Sequence, residues 1–242
     1  MVAFTIICPL LRKYDWFISF FFITLHVKIH FMESTEKIIA RQLLEISAVR
    51  LNVEQPFTWT SGWRSPIYCD NRKILSYPKA RKLIYESLAR LIGQHFPDAE
   101  VIAGIATGAI AHGALVAESM EKPFIYVRSS AKSHGLGNIV EGELKAGARV
   151  VVVEDLVSTG GSSLRSVEAL RKAGTEVMGM VAIFSYNFIS TRRSFENAGC
   201  ELYTLTNYLT LIEEARRCNY IKDSDMETLE RWRESPEKWG NE

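Results

Sequence analysis

The chain has 242 residues, 47% hydrophobic and 24% charged, with a formal net charge of +1. That is the make-up of a globular chain able to bury a sizeable core, and the length suits one α/β domain with short extras. So small a net charge gives no overall field to select nucleic acid or an anionic membrane, so anion binding has to come from local Lys, Arg and backbone amides.

Residues 1–31 do not match the remainder. Their apolar stretch, Trp16 to Val27, falls short of the ~20 residues of a membrane span. Arg12, Lys13 and Asp15 interrupt the apolar character before it, and no small-residue cleavage site follows. Met32 directly precedes a helix start, Glu33-Ser34-Thr35-Glu36-Lys37. The expectation is a mis-annotated or disordered leader over 1–31 and a single domain over 32–242, with a membrane anchor as the alternative. The cysteines, Cys8, Cys69, Cys200 and Cys218, are too widely spaced for a zinc knuckle and too sparse for a disulfide scaffold. Free thiols in a reducing cytosol fit them, and Cys69 reads as a small buried hydrophobe.

Ile38, Ile39, Leu43, Ile46 and Val49 recur at helical spacing, which predicts a helix from Ser34 to Leu51 with Ser34 or Thr35 as cap. The run Phe57 to Asp70, rich in β-formers and broken by Gly62 and Pro66, predicts short strands around a turn. Pro78 opens a second helix carrying Leu83, Ile84, Leu88, Leu91 and Ile92. Beyond Pro97 strands and helices alternate. Strands are expected at Val101–Ala106, Phe124–Arg128, Val150–Val153, Val177–Phe184 and Leu202–Leu205. Helices are expected up to about Glu121, at Ser162–Ala173 and near Thr191–Ala198, with polar helices to the end. Such alternation implies an α/β fold, a parallel sheet flanked by helices, with its ligand at the carboxyl ends of the strands.

The segment Val150-Val151-Val152-Val153-Glu154-Asp155-Leu156-Val157-Ser158-Thr159-Gly160-Gly161-Ser162-Ser163 says most about chemistry. A buried valine strand delivers two carboxylates and then a Gly/Ser/Thr loop running into a helix. Gly160 and Gly161 let the backbone approach an anion, Thr159, Ser162 and Ser163 offer hydroxyls, and the helix start adds amides with partial positive charge. Glu154 and Asp155 suit the two hydroxyls of a ribose and can help to place a hydrated magnesium ion. The loop is neither a Walker loop nor a dinucleotide fingerprint. At these residues the chain resembles the type I phosphoribosyltransferases, whose signature holds the 5-phosphate of phosphoribosyl pyrophosphate.

A second segment, Arg128-Ser129-Ser130-Ala131-Lys132-Ser133-His134-Gly135-Leu136-Gly137-Asn138, is polar, Gly-rich and long enough for a lid. Arg128, Lys132 and His134 are donors suited to a pyrophosphate leaving group, and Gly135 and Gly137 suit opening and closing; a solvated surface loop is the plainer alternative. The segment is similar to the catalytic loop of the orotate phosphoribosyltransferases. Ser129 stands where some members carry a second basic residue. Thr60 to Tyr68 is similar to that family's hood over the base, and Ala106-Thr107-Gly108-Ala109 to its pyrophosphate turn, without the lysine that some relatives have.

The resemblance runs from about Ser34 to Ala215 and implies a magnesium-dependent pentosyltransferase joining orotate to phosphoribosyl pyrophosphate. Under it, Lys132, His134 and Asp155 are the catalytic candidates. Arg128, Lys132, His134, Glu154, Asp155, Leu156, Val157, Ser158, Thr159, Gly160, Gly161 and Ser162 bind the pyrophosphate substrate, and Ser158 and Arg64 bind orotate. Magnesium is held mainly through the substrate, with no direct protein ligand. The resemblance further implies a cytoplasmic homodimer sharing its loops, with no nucleic-acid or membrane partner. No residue at Ser185-Tyr186-Asn187-Phe188 takes over the arginine that binds the orotate carboxylate in some members. The rival readings are a transferase for another base and a non-catalytic sensor of the same sugar phosphate.

Overall fold

The computed structural model describes residues 34–128 and 139–239. What the sequence suggests for the leader, and for Lys132 and His134, lies outside the described residues.

The main sheet contains β5 (Val101–Ile105), β6 (Phe124–Val127), β7 (Val140–Glu141), β8 (Arg149–Val157), β9 (Glu176–Ser185) and β10 (Glu201–Asn207). Their order is β10-β9-β8-β5-β6-β7. Every neighbouring pair is parallel except β6 and β7. The sheet is therefore mostly parallel, and the antiparallel edge strand β7 was not visible in the sequence.

The valine run explains how the layers assemble. All of Val150 to Val153 are fully buried, and successive side chains of a strand point to opposite faces. Val151 and Val153 join one apolar cluster, with residues of α1 (Thr35–Glu45), α2 (Pro78–His95), α3 (Ile110–Ser119), α6 (Tyr208–Arg217) and α7 (Met226–Glu234). Val150 and Val152 join the other, with Val167 and Leu170 of α4 (Gly161–Lys172) and Phe195 of α5 (Ile189–Asn197). A strand covered on both faces has no polar side to show, hence the unbroken valines.

Two boundaries differ from expectation. The first helix ends at Glu45, Ser47 turns the chain with φ 53°, and Val49–Leu51 forms β1, antiparallel to β4 (Ile67–Cys69). Val49 satisfies helical spacing, but its contacts are those of a strand. β8 also continues past the valines to Val157, because Glu154, Leu156 and Val157 stay in register with Ala182, Phe184 and Ser185 of β9. The acidic pair thus lies on the strand itself.

Above the sheet's carboxyl end stands a hood made of β1, β4 and the pair β2 (Phe57–Thr58) and β3 (Arg64–Ser65). Trp59 packs at 5.0 Å from Tyr186 and 5.7 Å from Trp232, ring centre to ring centre. Trp232 is fully buried, and its Nε1 donates to the Arg64 carbonyl at 3.2 Å. The last helix, which the sequence offered only as polar, is what clamps the hood. No helix of the described residues is long and apolar enough to cross a membrane.

Candidate active site

A cleft of about 1090 Å³ opens at the carboxyl ends of β5, β6 and β8. Its floor carries the acidic pair, and the two acids sit in different surroundings. Glu154 is 5% exposed. Its Oε2 accepts from Ser163 Oγ at 2.9 Å and its Oε1 from the Asp155 main-chain N–H at 3.0 Å. Burial, and then the neighbouring charge of Asp155, push the Glu154 carboxyl well above the usual carboxylate range. Asp155 is half-buried and lies against Gly108, where an added Cβ would overlap its carboxylate. Asn71 Nδ2 donates to the Asp155 carbonyl at 2.5 Å, tying the hood's first turn to the floor.

The loop after β8 reaches α4 through Gly160, whose φ of 81° is a left-handed conformation that favours glycine. No side chain caps α4, so its first amides are not claimed by a capping group. The loop is braced from behind by α5. Thr191 Oγ1 donates to the Ser158 carbonyl at 2.7 Å, and a Cβ on Gly160 would come within 2.8 Å of the Phe195 ring.

Of the expected site residues, Arg128, Glu154, Asp155, Leu156 and Ser162 line the cleft. Val157 is buried in β8, and Ser158, Thr159, Gly160 and Gly161 form the adjoining loop and helix start, outside the cleft lining. Arg128 directly follows β6; its N–H donates to the Ile139 carbonyl at 2.7 Å and its Nη1 pairs with Glu141 at 3.4 Å. Arg64 stays on exposed β3, also outside the lining. Ala106, Thr107 and Gly108, the expected pyrophosphate turn, line the cleft, and the Ala106–Thr107 peptide is cis.

Sequence reasoning missed Arg72, Arg165 and Lys172, which also line the cleft. Arg72 follows directly on the hood segment, where the reading stopped one turn short; Arg165 and Lys172 sit within an ordinary amphipathic helix and give no local signal. Cys69 is half-buried with Sγ 3.4 Å from Asn71 Oδ1, and burial holds its thiol well above its usual pKa. It lines the cleft, where a thiol held in protonated form by burial is a poor nucleophile.

Comparison with known proteins identifies the family. Residues 72–194 match the phosphoribosyl transferase domain. The orotate phosphoribosyltransferase of Porphyromonas gingivalis is 56% identical over 209 residues, covering 86% of this chain and 100% of that protein. The Listeria monocytogenes enzyme of the same name is 54% identical over 207 residues, 86% of this chain and 99% of its own. Among solved structures, orotate phosphoribosyltransferase from Aeropyrum pernix superimposes with a TM-score of 0.66 at 28% identity, covering 76% of this chain and 99% of that one. Leishmania donovani UMP synthase gives 0.70 at 27% identity over 81% of this chain, which spans only 42% of that longer protein.

Proposed function

The chain belongs to the orotate phosphoribosyltransferase family, and on that premise we propose that it transfers the ribose 5-phosphate of phosphoribosyl pyrophosphate to orotate. The products are orotidine 5-monophosphate and pyrophosphate. The observation that carries the reading is the uncapped start of α4 behind a braced loop, beside a floor carboxylate open to a large cleft.

The 5-phosphate sits on the loop Ser158 to Ser162, where backbone amides and hydroxyls meet it. Asp155 accepts from the ribose hydroxyls. Glu154 has both oxygens engaged by the protein, so it holds Ser163 and the strand end in place as well as flanking the sugar. The C1–O bond to pyrophosphate breaks through an oxocarbenium-like state while N1 of orotate, shedding its proton, bonds to C1. Arg128 stands at the rim for the leaving group, and Lys132 and His134 are assigned there from the loop sequence.

Magnesium fits as a companion of the pyrophosphate. Among the described residues no three His, Cys, Asp or Glu side chains converge, and Asp155, the less buried of the acidic pair, would help to hold the hydrated ion. When bound, the ion spreads the charge of the leaving group. The enzyme is assigned as a cytoplasmic homodimer in which each loop closes on the neighbouring subunit's site, without nucleic-acid or membrane partners. Residues 1–31 are assigned as a leader outside the catalytic domain.

The test is an ultraviolet assay of orotate loss with and without phosphoribosyl pyrophosphate and magnesium, with uracil, adenine and hypoxanthine as competitors. Consumption of one of those bases in place of orotate would overturn the assignment. Subunit sharing is tested by mixing a Lys132→Ala chain with one disabled at the phosphate loop; restored activity is expected, and mixed dimers without activity refute it.

A further inference from the structure

The hood carries a cation that the mechanism leaves unused. Arg72 lies in the first turn of the 3-10 helix Asn71–Ser76, just after β4, and lines the cleft with Asp155 and Gly108. Asp70 Oδ1 accepts from both the main-chain N–H of Arg72, at 3.2 Å, and its Nε, at 2.6 Å. One carboxylate thus fixes both the backbone and the near side of the guanidinium. The terminal nitrogens, Nη1 and Nη2, have no hydrogen-bond partner among the described residues, which leaves the outer edge of the fork open. The next residue back, Asn71, is fully buried and donates to the Asp155 carbonyl. The turn that bears the guanidinium is therefore indexed to the strand that bears the floor carboxylate.

Other cations lining the cleft are Arg128, just after β6, and Arg165 and Lys172 of α4, none of them in the hood. Arg64 is exposed on β3 outside the lining. On the functional reading above, the base bonds to C1 from the face opposite the departing pyrophosphate, and we assign that face to the hood side of the cleft. The incoming base is itself an anion, and burying its carboxylate without a cation is costly.

We propose that Arg72 is the specificity-determining residue for the base: its Nη1–Nη2 edge pairs in two-pronged fashion with the carboxylate of the pyrimidine, and Asp70 holds the fork in place. The assignment rests on the functional reading above, in which the base is orotate. It explains how an orotate enzyme works without an arginine at Ser185 to Phe188. It also separates the cations by task, the hood's for the acceptor and the β6 edge's for the leaving group.

The experiment compares the full-length wild type, Arg72→Gln and Arg72→Lys. In Arg72→Gln the KM for orotate should rise roughly 10- to 100-fold, the range for losing a charged hydrogen-bonded pair. Arg72→Lys, which keeps the charge and loses the fork, should fall between. The dissociation constant of phosphoribosyl pyrophosphate should change less than twofold, and inhibition by uracil, which lacks the carboxylate, should not change. Melting temperatures should match, because the Arg72 side chain is 62% exposed. Weaker binding of phosphoribosyl pyrophosphate with an unchanged orotate KM would place the fork on the pyrophosphate and overturn the proposal. Equal losses for orotate and uracil would overturn it too, since the residue would then shape the pocket without reading the carboxylate. A wild type that consumes a different base overturns the functional reading itself, whatever the variants do, and this assignment with it.

Discussion

The phosphate-loop side of the cleft is rooted in a strand of fully buried valines, with α4 ahead of it and α5 behind. The hood side stands on strands of two or three residues, which reach the core cluster through Val49 and Ile67 and are tied down by Asn71 and by Trp232 from the far end of the chain. Under the proposed function the first holds the phosphate, on amides preset by the core of the domain. The second reaches that core only through single residues of short strands, and most of its other residues are exposed or half-buried. Under that proposal, donor recognition and base recognition rest on foundations of unequal depth. A change of base specificity in this scaffold would begin in the hood.

Four measurements bear on that contrast. The largest effect is expected from Trp232→Ala, which empties the ring cluster of Trp59, Tyr186, Phe188 and Tyr208 and removes the clamp on Arg64. Large-to-small changes of this kind cost about 3–5 kcal/mol, measurable by urea denaturation. Orotate binding should suffer more than binding of ribose 5-phosphate; equal losses would mean that the hood and the loop share one foundation.

Glu154→Gln probes the deep side through pH. The Glu154 carboxyl is raised in the folded state, so the native protein holds its proton more tightly than the unfolded chain. Its favourable contribution is full below the unfolded pKa, about 4.3, and is lost as pH rises toward the higher folded value. The wild type should therefore lose stability relative to the glutamine variant between acid and neutral pH. Parallel stability curves for the two proteins would count against a strained carboxylate under α4.

Thr191→Val removes the bond to the Ser158 carbonyl at a cost of about 1 kcal/mol. The KM for phosphoribosyl pyrophosphate should rise a few-fold with kcat nearly unchanged, and Thr191→Ser should restore it. A loss confined to kcat would remove α5 from the placement of the loop. The smallest effect on stability is expected from Asp70→Asn, since an exposed ion pair contributes at most ~1 kcal/mol. The same change should still raise the orotate KM severalfold by releasing Arg72; an unaltered KM would show that the fork needs no support.

The contrast also governs what could be read without coordinates. The valine run, the acid pair and the Gly/Ser/Thr loop are contiguous, and each announces its backbone state locally, so β8, the loop and α4 were legible together. The hood was legible only as a region of short strands. Its decisive contact joins Arg64 to Trp232 across 168 residues, and no periodicity signals such a pairing. Arg72 was missed because a 3-10 turn has no pattern to mark which side chain faces a cleft, and Arg64 was preferred on proximity to the hood motif alone. The edge strand β7 is two residues long, below what alternation can reveal.

That short strand settles a matter of polymer physics. The Arg128 N–H meets the Ile139 carbonyl at 2.7 Å, and Val127 pairs with Val140, so the chain leaves the sheet and rejoins it at adjacent points. The entropic cost of closing the intervening segment is then nearly independent of its length, about 0.6 kcal/mol for each doubling. The register of the sheet at this edge is accordingly set by β6 and β7 themselves.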